Sequence, residues 1–117
     1  MTLVYDYPPS QAALSRIRHD LVPVAERFEL YLEGMELANG FHELTDATEQ
    51  RQRFERDLAE RSHAGCLRPP MDEAFLAALN AGIPDSAGVA LGLDRLLMAH
   101  TGCTRIDDVL AFPVERA

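Results

Sequence analysis

The sequence predicts an α+β domain in which a small antiparallel sheet carries helices on one side. Three observations predict it. Apolar and polar residues alternate through Ala25–Glu33, and Gly34 separates that run from a second extended run, the pattern of a hairpin. Two helix-like segments follow, each opened by aspartate and glutamate. Strand and helix are mixed without the regular β-α-β alternation of a parallel sheet.

Taken in order, Thr2–Tyr7 is rich in β-formers and is stopped by Pro8-Pro9. Gln11–Arg18 is read as one or two helical turns. In Ala25–Glu33, Phe28, Leu30 and Leu32 share one face, while Glu29, Tyr31 and Glu33 share the other. Met35–Glu43 returns beside it, with the turn near Glu33-Gly34. A helix is expected over Ala47–His63, with Asp46 as N-cap and Glu49 completing a capping box. Its apolar content is thin (Phe54, Leu58, Ala59), so it is expected at the surface. Ser62–Pro70 reads as a loop. Met71–Asn80 reads as a helix with Asp72 and Glu73 at its positive end and Gly82 past its stop. Ser86–Leu93 is a strand of small residues, Asp94–His100 a helix ended by Thr101-Gly102, and Ile106–Phe112 one more turn with an extended end.

Length and charge narrow the function. A chain of 117 residues is one domain. Nineteen acidic residues against 11 Lys and Arg give a net charge of −8. Binding to a phosphate backbone rests on Lys and Arg, so a free-standing nucleic-acid module is disfavoured. The uncharged stretch around Ser86–Leu93 is far short of a membrane span. The first residues lack the layout of a signal peptide. Cys66 and Cys103 have no CxxC spacing and read as plain thiols of a cytoplasmic protein.

Two segments carry the candidate chemistry. In the first, Arg27-Phe28-Glu29 precedes Met35–Asp46, and Glu29, Glu36 and Glu43 lie on paired strands beside Asn39. Carboxylates on rigid strands suit magnesium with phosphate oxygens, and a deeper one suits an ammonium group. The alternative is a solvated sheet face. In the second, Gly88–Met98, a strand of glycine and alanine offers a shallow surface and runs into a helix with Arg95 in its first turn. A guanidinium there can grip phosphate or stack on a base. The alternative is close packing with Arg95 held by a structural acid. Strict alternation puts Asn39, Phe41 and Glu43 on one face but Glu36 on the other. A shared site therefore requires a bulge or bend near Ala38.

Together these segments resemble class II aminoacyl-tRNA synthetases. Gly88–Leu97 is similar to their third signature motif, and Arg27–Asp46 to the region ahead of it in the lysine-specific branch. The resemblance is nearest to the elongation factor P–lysine ligases, and it runs from Tyr7-Pro8 to Phe112-Pro113. It implies part of a class II synthetase core using ATP and Mg2+. It implies that Glu29 and Glu36 hold magnesium on the ATP phosphates, and that Arg95, next to Gly92 in the nucleotide site, meets adenine and the terminal phosphate. Asn39 and Glu43 are implied as substrate contacts, with Glu43 receiving a lysine ammonium and Phe41 walling the pocket. Ala38, glycine in typical lysyl-tRNA synthetases, is implied to reshape the pocket floor for (R)-β-lysine. The implied reaction activates lysine or (R)-β-lysine as an adenylate and transfers it to a lysine of elongation factor P, with tRNA and membrane not expected as partners.

The first and second signature motifs are absent from residues 1–117, so the chain alone is expected to be inactive. Two other readings are a lysyl-tRNA synthetase fragment and a non-catalytic binding module of the same fold. Open sheet edges leave homo-oligomers as an expectation. His19, His42, His63 and His100 lack metal-ligand spacing, and Arg51, Arg53, Arg56 and Arg61 read as a solvated face. Leu96, Leu97 and Met98 read as core.

Overall fold

The alternating segment becomes the centre of the sheet. A computed structural model describes residues 1–114 of the chain. Its strands are β1 (Thr2–Tyr7), β2 (Ile17–Arg18), β3 (Val24–Leu32), β4 (Met35–His42) and β5 (Ala87–Leu91). Their order is β1-β3-β4-β5, all pairs antiparallel, with β2 against the start of β3. The helices are α1 (Ala47–His63), α2 (Glu73–Ala81) and α3 (Leu93–Thr101), and they flank the sheet as the α+β reading requires.

The β3–β4 hairpin closes through two residues, Glu33 at φ 51° and Gly34 at φ 83°. Positive φ at both central positions is what a type I′ turn demands, and its twist matches that of the strands. Gln11–Arg18 is not helical beyond a 3-10 turn at Pro9–Gln11. Ala13, at φ 50°, leaves the right-handed region, and the β-branched Ile17 starts the short strand β2 instead. At this end β3 and β4 splay, and β2 wedges between them. Glu26 N–H donates to the Arg16 carbonyl (2.9 Å), and Arg16 N–H donates to that of His42 (2.8 Å).

Asp46 caps α1 by accepting from the amides of Thr48 (2.8 Å) and Glu49 (3.0 Å), and Asp72 caps α2 through Phe75 (2.9 Å). The carboxylate of Glu49 turns to Arg53 (2.5 Å). Phe54 and Phe75 pack at 6.0 Å between ring centres, and Arg51 reaches Glu73, joining α1 to α2. α1 buries polar rather than apolar side chains, namely Gln50 and Arg53. Arg53 therefore leaves the solvated face assigned to it, and its guanidinium donates to the carbonyls of Ala13 and Ser15. The buried apolar residues are small or few: Ala12, Ala25, Leu37, Ala38, Leu44, Leu76, Leu79 and Met98. Of the three expected on α3, only Met98 is core; Leu96 and Leu97 are 43% and 42% exposed. Among the described residues, no helix is long and apolar enough to cross a membrane.

Candidate functional site

Cross-strand pairing decides which residues can meet. Glu29 faces Asn39, which faces Ala90, and Arg27 faces Phe41, which faces Gly88. Between these rows and the hairpin turn the register slips: Leu30 pairs with Ala38, but Tyr31 pairs with Glu36. Leu37 is thus the extra residue of a β-bulge. The irregularity required near Ala38 is present, and it rotates Glu36 onto the face of Glu29 and Asn39. Glu43, one step past β4, lies on this face too, its Oε1 3.3 Å from where a Cβ on Gly88 would stand. Glu29, Glu36, Asn39, Phe41 and Glu43 therefore share one side of the sheet.

Within that set Glu29 is a hub. It is 7% exposed, and its carboxylate accepts from Tyr7 Oη (2.8 Å), Tyr31 Oη, the Arg27 guanidinium and Asn39 Nδ2 (3.4 Å). Two oxygens offer about four acceptor positions, so protein donors use them all. The Tyr31 hydroxyl above all, then that of Tyr7 and the charge of Arg27, hold the carboxyl below the ordinary glutamate range against the opposing effect of burial. The two phenols shift the other way. Burial first and then Glu29 raise Tyr7, and the hydrogen bond to Glu29 raises Tyr31. Arg27 also stacks over the Tyr7 ring at 4.8 Å and donates to Asn39 Oδ1 (3.3 Å). Alternation already paired Tyr31 with Glu29 in the sequence; the reach of Tyr7 and Arg27 needed the β1–β3 register.

Arg95 sits where α3 meets the bulge. Its Nη1 donates to the Glu36 carbonyl (2.8 Å), while Gly92 N–H donates to that of Leu37 (2.8 Å). The Arg95 stem lies over Gly92, its Cδ 3.4 Å from where a Cβ would stand. The guanidinium is thus beside Glu36 but engaged with backbone. Two carboxylates on one face of the sheet, Glu29 and Glu36, are hard oxygen donors of the type magnesium takes. Glu36 offers its carboxylate directly, whereas Glu29 must first release a protein donor. Among the described residues, no group of three or more His, Cys, Asp or Glu is arranged to hold a metal.

Ala38 is placed elsewhere. After the bulge it falls in the row Leu3–Leu30–Ala38–Leu91, on the face opposite Asn39, and it is 6% exposed. Its methyl cannot floor a pocket on the Asn39 side. The residue beside Asn39 on the site face is Ala90, which sequence reading included in a small-residue strand without knowing its register.

A cavity of about 530 Å3 lies mainly on the other face, lined by Tyr5, Phe28, Glu26, His42, Asp85 and Ala87 among others. Of the predicted site residues only Phe41 borders it.

The family model for tRNA synthetases class II (D, K and N) matches residues 1–116. The chain is 59% identical over 116 residues to an "Elongation factor P--(R)-beta-lysine ligase" of Proteus mirabilis (strain HI4320), covering 99% of this chain and 36% of that protein. A protein of the same description from Edwardsiella ictaluri (strain 93-146) is 58% identical over 114 residues, covering 97% and 35%. One from Enterobacter sp. (strain 638) is 55% identical over 116 residues, covering 99% and 36%. The chain spans about a third of the length of these curated relatives.

Proposed function

From the premise that the chain belongs to the family of tRNA synthetases class II (D, K and N), we propose that it is the acidic part of an ATP-dependent ligase site. That ligase activates lysine or (R)-β-lysine as an aminoacyl-adenylate and transfers it to a lysine of elongation factor P. The observation that carries this reading is the β-bulge at Leu37, which puts Glu36 on the same face as Glu29, Asn39 and Glu43. A sheet without it would divide the acids between two faces.

In this reading Asn39 and Glu43 contact the substrate, with the Glu43 carboxylate taking an ammonium group beside Gly88. Phe41 and Ala90 border that space, and Ala38 has no part in it. Glu36, together with Glu29 if one phenol is displaced, would hold magnesium, which would neutralise charge on the nucleotide phosphates. Arg95 serves the nucleotide once its bond to the Glu36 carbonyl is exchanged for a phosphate, and Gly92 leaves room for its stem. Without the first and second signature motifs of the family it resembles, the chain alone binds without turning over in this reading.

Calorimetry with ATP–Mg2+, L-lysine and (R)-β-lysine tests the proposal. Binding of either lysine at millimolar concentration, lost in Glu43→Gln with the fold intact, supports it. A folded chain that binds neither lysine nor nucleotide sinks it.

A further inference from the structure

His42 stands on the opposite side of β4 from Glu43, at the fork where β3 and β4 separate. Its Nδ1 is 2.7 Å from Glu26 Oε2 and its Nε2 2.5 Å from Asp85 Oδ1. A neutral imidazole has one N–H and would turn a lone pair toward the second carboxylate; only the imidazolium donates to both. The two acids belong to different elements, Glu26 to β3 and Asp85 to the turn between α2 and β5. That turn also touches the proposed substrate site, because Ser86 accepts the Glu43 N–H at 3.0 Å and leads into Gly88.

We propose that His42 is a positioning residue: as the imidazolium it clasps Asp85 to Glu26, and this holds Ser86 and the start of β5 so that Glu43 and Gly88 keep their mutual placement. The inference rests on the reading of Glu43 as the ammonium contact.

The surrounding charges favour this state. Arg16 approaches Asp85 (3.6 Å), and Arg18 lies between Glu26 (3.7 Å) and Asp6 of β1 (3.2 Å). Asp20 shares Arg18 as well (2.6 Å), so four acids share two arginines, and a charged His42 reduces that acidic excess. Asp85 first and Glu26 second raise the histidine above its ordinary range, with burial working against them. A raised basic group contributes fully below its unfolded value and loses that contribution as pH climbs through the folded one. The clasp is therefore closed below the raised folded value and opens as pH climbs through it. Asp85, whose side chain is 72% exposed against 24% for Glu26, is the link that lets go.

The test follows the His42 ring by NMR titration and the hydrogen-exchange protection of the Glu43 amide, corrected for intrinsic rate, in the wild-type chain, Asp85→Asn and Glu26→Gln. A wild-type midpoint above that of an ordinary histidine, lowered in both variants, is the expected result. Glu43 protection should fall about tenfold across that midpoint, and in Asp85→Asn it should already be low at pH values below the wild-type midpoint. An ordinary midpoint, or Glu43 protection that ignores both pH and Asp85→Asn, overturns the proposal. Lysine binding is read in parallel. Where the wild type binds lysine, Asp85→Asn should weaken it while leaving ATP binding unmoved. A wild type that binds no lysine removes the substrate reading, and the exchange data still decide the clasp.

Discussion

Glu29 and Asn39 stand directly opposite one another across β3 and β4, and the asparagine amide donates to the carboxylate at 3.4 Å. The pair is the fixed point of the site face. Tyr7 and Arg27 tie it to β1 and to the start of β3, and Tyr31 carries it toward Glu36 at the bulge. An ionised carboxylate with 7% exposure is tolerable because each of its acceptor positions has a donor. The same saturation sets a condition on any ligand there: a cation must offer more than the phenol it displaces.

The first prediction concerns acid stability. A carboxyl held below its ordinary range stabilises the fold above the unfolded value and loses that contribution as pH falls through the folded value. Glu29→Gln should therefore be less stable than the wild type in urea at neutral pH. Below the depressed folded value the gap should narrow as the wild type loses its advantage. A gap that stays constant down to acid pH would show that the ionised carboxylate is not what stabilises.

A second prediction separates Glu29 from Glu36 as cation ligands. A hydrogen bond to a charged group is worth about 1.5–3 kcal/mol, so freeing Glu29 from one phenol should tighten Mn2+ binding about tenfold or more. Tyr31→Phe should show that gain in an electron paramagnetic resonance titration, and Glu36→Gln should lose binding. If Tyr31→Phe leaves Mn2+ affinity unchanged while Glu36→Gln abolishes it, Glu29 is a structural carboxylate only.

These expectations also mark where sequence reading stopped. The β3–β4 hairpin was legible because period-two alternation and Gly34 are local signals, and the bulge was legible because Glu36 and Asn39 could not otherwise share a face. Ala38 was misplaced for the same reason: whether it lies before or after the extra residue depends on register, which only the pairing of Leu30 with Ala38 reveals. Arg53 could not be told from Arg51, Arg56 and Arg61, since its burial depends on the carbonyls of Ala13 and Ser15, 40 and 38 residues away. Leu96 and Leu97 look like core by type, yet β5 and α3 lie at a sheet edge and expose them.

A third prediction uses two glycines on opposite faces. A Cβ at Gly40 would stand 2.6 Å from Phe28 Cε1 and 2.9 Å from the Gly88 carbonyl. One neighbour is a ring and the other is backbone, so Gly40→Ala should cost about 1–3 kcal/mol, read from the urea midpoint. At Gly88 the nearest atom is only Glu43 Oε1, at 3.3 Å, the end of a flexible side chain. Gly88→Ala should keep its stability and weaken lysine binding by displacing that carboxylate. Equal stability losses in both variants would contradict the face assignment.

The last prediction concerns Gln50, 1% exposed in the first turns of α1, whose Oε1 and Nε2 have no hydrogen-bond partner among the described residues. An unmet buried donor or acceptor carries a desolvation cost of about 1–3 kcal/mol. Methionine has nearly the same length and volume, fills the space flexibly and brings no polar group that needs pairing. Gln50→Met should therefore stabilise the chain by about 1 kcal/mol in urea unfolding. Gln50→Ala should destabilise it through the space it leaves, by about 2 kcal/mol or more, the usual range for truncating a long buried side chain to alanine. The opposed signs are what make the test sharp. A buried amide that is secretly satisfied, through water or a segment packed over α1, would make both substitutions costly, and Gln50 would then be a polar anchor.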